Sequence, residues 1–299
     1  MRPRLAVLLV LLAAASARAD DRSTVPTPYP LDSGYTLSPA FAVAPHTGAF
    51  AVLGFVDRSL VRGRTTYHDA GARRLLGGSY AFSDRLAVGA VLPLELGAHS
   101  VVVPPSIDDS SARAEVGATR VYATYLAWTH RTDGGSPLWV APHVALTLPT
   151  DTSRLDPGRH PPPLRQLLGG TIVDHPFALV DVGGTLAGRW SVLGYSESLA
   201  MIVGAVGGDG SELFVSSTTA LAFVMSGTSI DLGVDFSFLG RLTHAPGAEV
   251  GAVFGVGEMI RFRHRAQVYG IGLRIDITDQ GELAMLAGFS FGLGWGRGH

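Results

Sequence analysis

The sequence predicts an all-β protein: a transmembrane, antiparallel, up-and-down β-barrel of about twelve strands, within bounds of ten and fourteen. Three observations predict it. The stretch Leu283–Trp295 is sorted by parity, with Leu283, Met285, Ala287, Phe289, Phe291, Leu293 and Trp295 on one side and Ala284, Leu286, Gly288, Ser290, Gly292 and Gly294 on the other. A strand turns alternate residues to opposite faces, so one face is greasy and the other mostly small. Charged residues make up only 16% of the 299 positions, and mean hydropathy is +0.27. Yet no apolar run long enough for a membrane helix, about 18 residues, follows the N-terminal segment. Third, the chain opens on an export signal and contains no cysteine.

The signal occupies residues 1–19. Arg2 and Arg4 form the positive region, Leu5–Ala15 the apolar region, and Ala17-Arg18-Ala19 a small-x-small cleavage site. Residues 20–47 carry Pro26, Pro28, Pro30, Pro39 and Pro45 and read as an extended periplasmic lead, with a strand conceivable at Tyr35–Ala44. The barrel is expected over 48–299. Without cysteine there is no lipobox, disulfide framework or thiolate chemistry. A net charge of −2 argues against nucleic acid.

Thirteen candidate strands follow in order: Ala49–Val56, Leu75–Phe82, Leu86–Leu96, Ala118–Thr129, Leu138–Leu148, Gln166–Val173, Phe177–Arg189, Ser198–Val206, Leu213–Met225, Ser229–Phe238, Ala248–Val256, Gln267–Ile277 and Leu283–Trp295. Alternation is cleanest in four. Leu86–Leu96 is apolar on even positions. Ile230–Phe238 sets Ile230, Leu232, Val234, Phe236 and Phe238 against Asp231, Gly233, Asp235 and Ser237. Tyr269–Ile277 sets Tyr269, Ile271, Leu273, Ile275 and Ile277 against Gly270, Gly272, Arg274 and Asp276. The terminal stretch is the fourth. Val121–Trp128 is apolar or aromatic on both faces. Since single-chain bacterial barrels have an even number of strands, at least one of the thirteen assignments is wrong, and twelve strands are expected. Ser83-Asp84, Asp174-His175-Pro176, Ser226-Gly227 and Asp279-Gln280-Gly281 read as tight joints. Asp57–Arg74, Gly97–Gly117 and Pro149–Arg165 read as long polar loops. Short and long joints alternate in the first half, as in outer-membrane barrels, but Ser226-Gly227 is short where a long loop is due. A soluble β-sandwich would place charges on its non-greasy faces; here those faces hold mostly Gly, Ala, Ser and Thr, and the chain has no lysine.

Thr119–Asp151, ending in Leu148-Pro149-Thr150-Asp151, resembles a strand–turn–strand unit of the outer-membrane transporter-like barrels named for the meta-pathway of phenol degradation. Their Leu-Pro-Thr-Gly-Asp motif lacks its glycine here. Arg85–Leu96 is similar to that family's second hairpin. Similar barrels precede OmpA-type peptidoglycan-binding domains, which are not expected here. The resemblance implies a barrel passing small hydrophobic or aromatic compounds and transfers no binding residue. Barrels of this kind commonly end on an aromatic residue read by the barrel-assembly machinery, whereas Trp295 is followed by Gly-Arg-Gly-His.

Motifs for catalysis are weak. Gly288-Phe289-Ser290-Phe291-Gly292 matches the spacing of a nucleophile elbow, but it lies in a strand pattern with only His299 after it. Gly207-Gly208-Asp209-Gly210 lacks the further oxygen ligands of a calcium loop. His160, His175 and His264 have no metal-ligand spacing. No enzyme activity, cofactor or metal is expected. Arg261, Arg263 and Arg265, in the one dense basic run, are candidates to meet lipopolysaccharide phosphates if that run lies outside; a periplasmic solvated turn is the alternative.

By parity Glu95, His143, Asp181, Arg189, Asp231, Asp235, Arg274 and Asp276 turn away from lipid, where an arginine near the midplane costs roughly 2–4 kcal/mol. They are candidate lumen-lining residues. They either bias a water-filled pore by charge or pair, for example Asp235 with Arg274, and plug it. The expected partners are outer-membrane lipid, lipopolysaccharide, the assembly machinery and an unidentified small solute. The expected function is a passive outer-membrane channel for small, apolar molecules. The alternative is a non-conducting structural or display barrel with functional loops at Gly97–Gly117 and Pro149–Arg165.

Overall fold

The structure, a computed structural model, describes residues 47–62, 65–83, 85–103, 106–116, 119–131, 137–148, 176–190, 193–206, 210–224, 230–243, 252–264, 267–279 and 283–295. The expected signal, the proline-rich lead before residue 47, the candidate strand Gln166–Val173, the loop Pro149–Arg165, His160, His175, Asp209 and Arg265 lie outside the described residues. The described chain forms fourteen antiparallel β-segments: β1 (Thr47–Arg62), β2 (Thr65–Ala81), β3 (Leu86–Val103), β4 (Ser106–Val116), β5 (Thr119–Tyr125), β6 (Trp128–Arg131), β7 (Pro137–Leu148), β8 (Pro176–Trp190), β9 (Leu193–Val206), β10 (Gly210–Val224), β11 (Ile230–Arg241), β12 (Ala252–His264), β13 (Gln267–Thr278) and β14 (Leu283–Trp295).

Strands β1, β2 and β3 pair in chain order, as do β7 to β14, β5 joins β3 to β7, and β1 pairs with β14, so the sheet closes on itself. Pairing the first strand with the last leaves the ring without an open seam, which a β-structure needs where no water is available. Segments β4, β5 and β6 share one path: β3 pairs with β4 along its upper part and with β5 along its lower part, while β7 pairs with β5 and then β6. Counted along the ring, the fourteen segments of the described residues therefore make twelve staves. Twelve of the candidate strands coincide with these staves, and the remaining one is Gln166–Val173. Along the described staves the joint between β10 and β11, at Ser226-Gly227, falls at the same end as the joint between β2 and β3, at Ser83-Asp84. We call this the closing end, because Thr47 and Trp295 pair there. The opposite end is the loop end.

Parity is set by the surroundings. On β11, Leu232, Val234 and Phe236 are exposed on the outer face, while Asp235 between them is buried. On β13, Ile271, Ile275 and Ile277 face out, and Arg274 and Asp276 face in. Leu283, Met285 and Phe289 continue this belt on β14, and Leu86 and Leu96 on β3. So large an apolar surface around a closed sheet is what a bilayer covers.

Two stretches expected to be loops are strands. Asp57–Arg74 is the upper part of the β1–β2 hairpin, and Gly97–Gly117 is almost wholly the upper part of β3 together with β4. Strands β1, β2 and β3 run 16, 17 and 18 residues, where about 9–11 suffice to cross a membrane. The residues of their upper parts do not alternate between greasy and polar, so the sequence marks no face there. The mixed character of Val121–Trp128 also has a cause. Arg120 pairs across to Thr147 and Trp128 to Val140, with Leu126 and Ala127 between the two ladders. Leu126 packs inside with Ala141, Ala187 and Trp139, whereas Val121, Tyr125 and Trp128 are exposed. This irregularity flips the parity of the stave.

Candidate functional site: the inward polar clusters

The first cluster spans β11, β12 and β13. Register places Asp235, Gly257 and Arg274 in one row, and Ser237, Gly255 and Asp276 in the next. The middle strand contributes only glycine, so side chains from the outer two strands meet across it. Arg274 Nη1 donates to Asp235 Oδ1 at 2.8 Å, Nε donates to Asp276 Oδ1 at 2.8 Å, and Nη2 donates to Ser237 Oγ. A Cβ on Gly257 would come 2.5 Å from Asp235 Oδ2, and one on Gly255 would overlap Arg274, Asp276 and Ser237. The two glycines are thus a window that the cluster fills. Asp235, Arg274 and Asp276 are 4%, 5% and 7% exposed. A guanidinium shared between two carboxyl groups is among the stronger polar arrangements, because its fork donates in several directions at once.

The second cluster spans β5, β7 and β8. Arg120 pairs with Asp181, and His143 Nε2 lies 3.4 Å from Asp181 Oδ1. Next to it, Ser79, Gly89 and Tyr122 share a row. The Tyr122 ring lies over Gly89, where a Cβ would overlap it. A glycine again lets a large inward side chain cross a neighbouring strand. Towards the loop end, four consecutive staves form an inward apolar group of Ile202, Phe214, Leu239 and Val253, and the Arg241 guanidinium carbon lies 5.4 Å from the Phe214 ring centre. Along this side of the lumen an apolar layer near the loop end gives way to the charged rows below it.

Five of the eight candidate lumen-lining residues have described side chains. His143, Asp181, Asp235, Arg274 and Asp276 sit in these clusters. Glu95 on β3, Arg189 on β8 and Asp231 on β11 are in strands, but their side chains lie outside the described residues. Arg261 is a correction. It is 4% exposed, in a row with Asp231 and Gly270, and a side chain buried on the inner face does not meet lipopolysaccharide. The side chain of Arg263 lies outside the described residues. Ser290, in the elbow-like motif, belongs to β14 and not to a strand-to-helix turn. Among the described residues no group of His, Asp and Glu suits a metal ion, and no helix is long and apolar enough to cross a membrane.

Sequence reasoning missed two residues. Arg120 was hidden by the parity flip. Glu197 was missed because the candidate strand began at Ser198, whereas β9 begins at Leu193. On β9, Leu193, Leu199, Met201 and Val203 are exposed on the outer face, and Glu197 shares their parity. It lies opposite Leu186 on β8 and Thr219 on β10. Ser217 Oγ donates to its Oε1 at 3.0 Å, and Thr219 Oγ1 and the Tyr195 hydroxyl donate to Oε2. A second outward carboxylate, Glu258 on β12, is exposed and opposite Val234 and Leu273.

No protein-family model matches the chain, and no curated protein matches it in sequence. Solved structures do match in fold. An outer membrane channel from Pseudomonas putida F1 is similar at a TM-score of 0.52 and 14% identity, over 84% of this chain and 96% of that one. The transport unit of the autotransporter AIDA-I from Escherichia coli is similar at a TM-score of 0.52 and 8% identity, over 98% of this chain and 99% of that one. At these identities the likeness is one of architecture: this chain has the fold of an outer-membrane β-barrel.

Proposed function

We propose that the protein is a passive outer-membrane channel for small, apolar molecules, with its closing end in the periplasm. The observation that carries this reading is the pairing of a closed, apolar-belted barrel with an inner face that is polar in clusters and apolar elsewhere. The P. putida channel of similar fold supports it, as does the resemblance of Thr119–Asp151 to the transporter-like barrels of phenol degradation. The apolar layer of Ile202, Phe214 and Leu239 gives an uncharged solute a surface to partition onto, and the charged rows beneath it tax the passage of ions. Purified protein in planar bilayers should conduct, and liposomes carrying it should admit a small aromatic alcohol faster than a sugar of similar size. The absence of both conductance and solute flux would overturn the channel. Asp235→Ala releases Arg274 from one carboxylate and should move ion selectivity towards anions.

A specific observation favours a second reading. Asp235, Arg274 and Asp276 are all nearly inaccessible, as the side chains of a plugged, structural barrel would be. Absent conductance together with unchanged membrane insertion would select that reading.

A further inference from the structure

We infer that His143 sets the ionic selectivity of the channel according to pH: protonation of its imidazole turns the inner wall at β5, β7 and β8 from neutral to positive and moves passage from cations towards anions. The inference rests on the channel reading above. The two polar clusters differ in how they meet the lumen. In the first, the side chains of Asp235, Arg274 and Asp276 are 5%, 5% and 9% exposed. In the second, those of His143 and Arg120 keep 14% and 13%, so the second cluster is the more open to an ion in the lumen. Among the described side chains His143 is the one histidine on the inner face. His130, the other described histidine, is exposed and stacks on Trp128.

The imidazole is held where its charge matters. Register sets Thr124, His143 and Gly183 in one row, with Ala200 beyond. A Cβ on Gly183 would come 2.8 Å from His143 Cε1 and 2.6 Å from Ala200 Cβ, so the ring lies over the β8 backbone. Asp181 is the next inward residue of β8. Its Oδ2 accepts from Arg120. Its Oδ1 is buried, lies 3.4 Å from His143 Nε2 and accepts no well-formed hydrogen bond among the described residues. A neutral imidazole carries one N–H, on either nitrogen; an imidazolium carries both, with a charge. Protonation therefore gives Oδ1 a charge-assisted donor. Before it, Arg120 and Asp181 cancel; after it, the cluster carries one net positive charge. The groups facing His143 do not offset that charge. From β5 they are Arg120, Tyr122 and Thr124, and from β8 Asp181 and Thr185. Across the window β9 presents Ser198, Ala200 and Ile202, and β7 itself adds Ala141 and Ala145. Of these only Arg120, Asp181 and Tyr122 are ionisable, and a phenol stays neutral through the range concerned. Glu95 on β3 and Arg189 on β8 stand further along their strands. Histidine alone among side chains ordinarily changes charge between about pH 5 and 8, and charged side chains lining a lumen select ions by sign.

Reversal potentials of purified protein in planar bilayers, under a potassium chloride gradient from about pH 8 to about pH 4, test this. The potassium-to-chloride permeability ratio should fall several-fold on acidification, with its midpoint between about pH 5 and 8. His143→Gln and His143→Asn keep a polar side chain that cannot charge, and both should lose most of that fall. Each variant is compared with itself across pH, so a change in its conductance at neutral pH does not enter. An undiminished fall in both variants would overturn the inference and leave the channel standing. So would a wild-type midpoint near about pH 4, where carboxylates titrate. Absent conductance at every pH would overturn the channel reading and this inference together.

Discussion

Asp235 and Glu197 are both carboxylates in the wall of the same barrel, and they are accommodated in opposite ways. Asp235 faces inward and is held by a guanidinium that reaches it across a glycine window. Glu197 faces outward and is held by hydroxyls on its own strand and the next. The difference teaches that inside the ring a charge is met by a counter-charge two strands away, whereas on the outer face it is met by short neighbours in the same sheet surface. The inner solution depends on register across three strands; the outer one needs only two.

Breaking the inner solution should have the largest effect. Arg274→Met leaves Asp235 and Asp276 buried without their shared partner, and losing one side of a buried pair costs about 3–5 kcal/mol. Urea unfolding in vesicles, followed by tryptophan fluorescence, should show a loss of that order. Full stability would show the cluster to be ornamental. Gly255→Val keeps every charge and fills the window. Its side chain would displace Arg274, Asp276 and Ser237, and overpacking of this kind costs about 1–3 kcal/mol; the same unfolding assay reads it. Glu197→Leu probes the outer solution. It removes a carboxylate from a lipid-facing wall but strands three hydroxyls, so a net change of about 1 kcal/mol or less is expected. A loss as large as that of Arg274→Met would erase the distinction. His143→Gln should matter least, a few tenths of a kcal/mol, about the low end of a single hydrogen bond, because Arg120 still holds Asp181.

The same physics explains how much of the barrel was legible in the sequence. Where lipid bathes one face, parity is enforced, and Ile230–Phe238, Tyr269–Ile277 and Leu283–Trp295 read directly as strands with their inward residues. In Asp57–Arg74 charged, small and apolar residues are mixed without alternation, so a strand resembles a loop. The start of β9 was hidden because Tyr195, Ser196, Glu197 and Ser198 are polar or half-polar on both faces. Ser196 and Ser198 are buried inside, and Thr185 Oγ1 donates to Ser198 Oγ at 3.2 Å. Parity gave Asp235 and Arg274 a common face, but their meeting depends on both lying opposite Gly257, which is a matter of register and not of pattern. Arg120 needed knowledge of the irregularity at Leu126-Ala127, for which the sequence offers no turn residue.

The pairing of β1 with β14 bears on how the barrel is made. Every other ladder joins strands that are close along the chain and can knit in the order of synthesis. This last ladder joins Thr47 to Trp295 and Ser59 to Leu283, the two extremes of the described chain. Contacts of such long range are slow, because loop entropy is lost before they reward it. Until that seam shuts, a nearly finished sheet carries two live edges, each able to pair with any other open strand. A chain cut short before Leu283 would keep both edges open, so the expected result is aggregation during assembly and not a slightly narrower barrel.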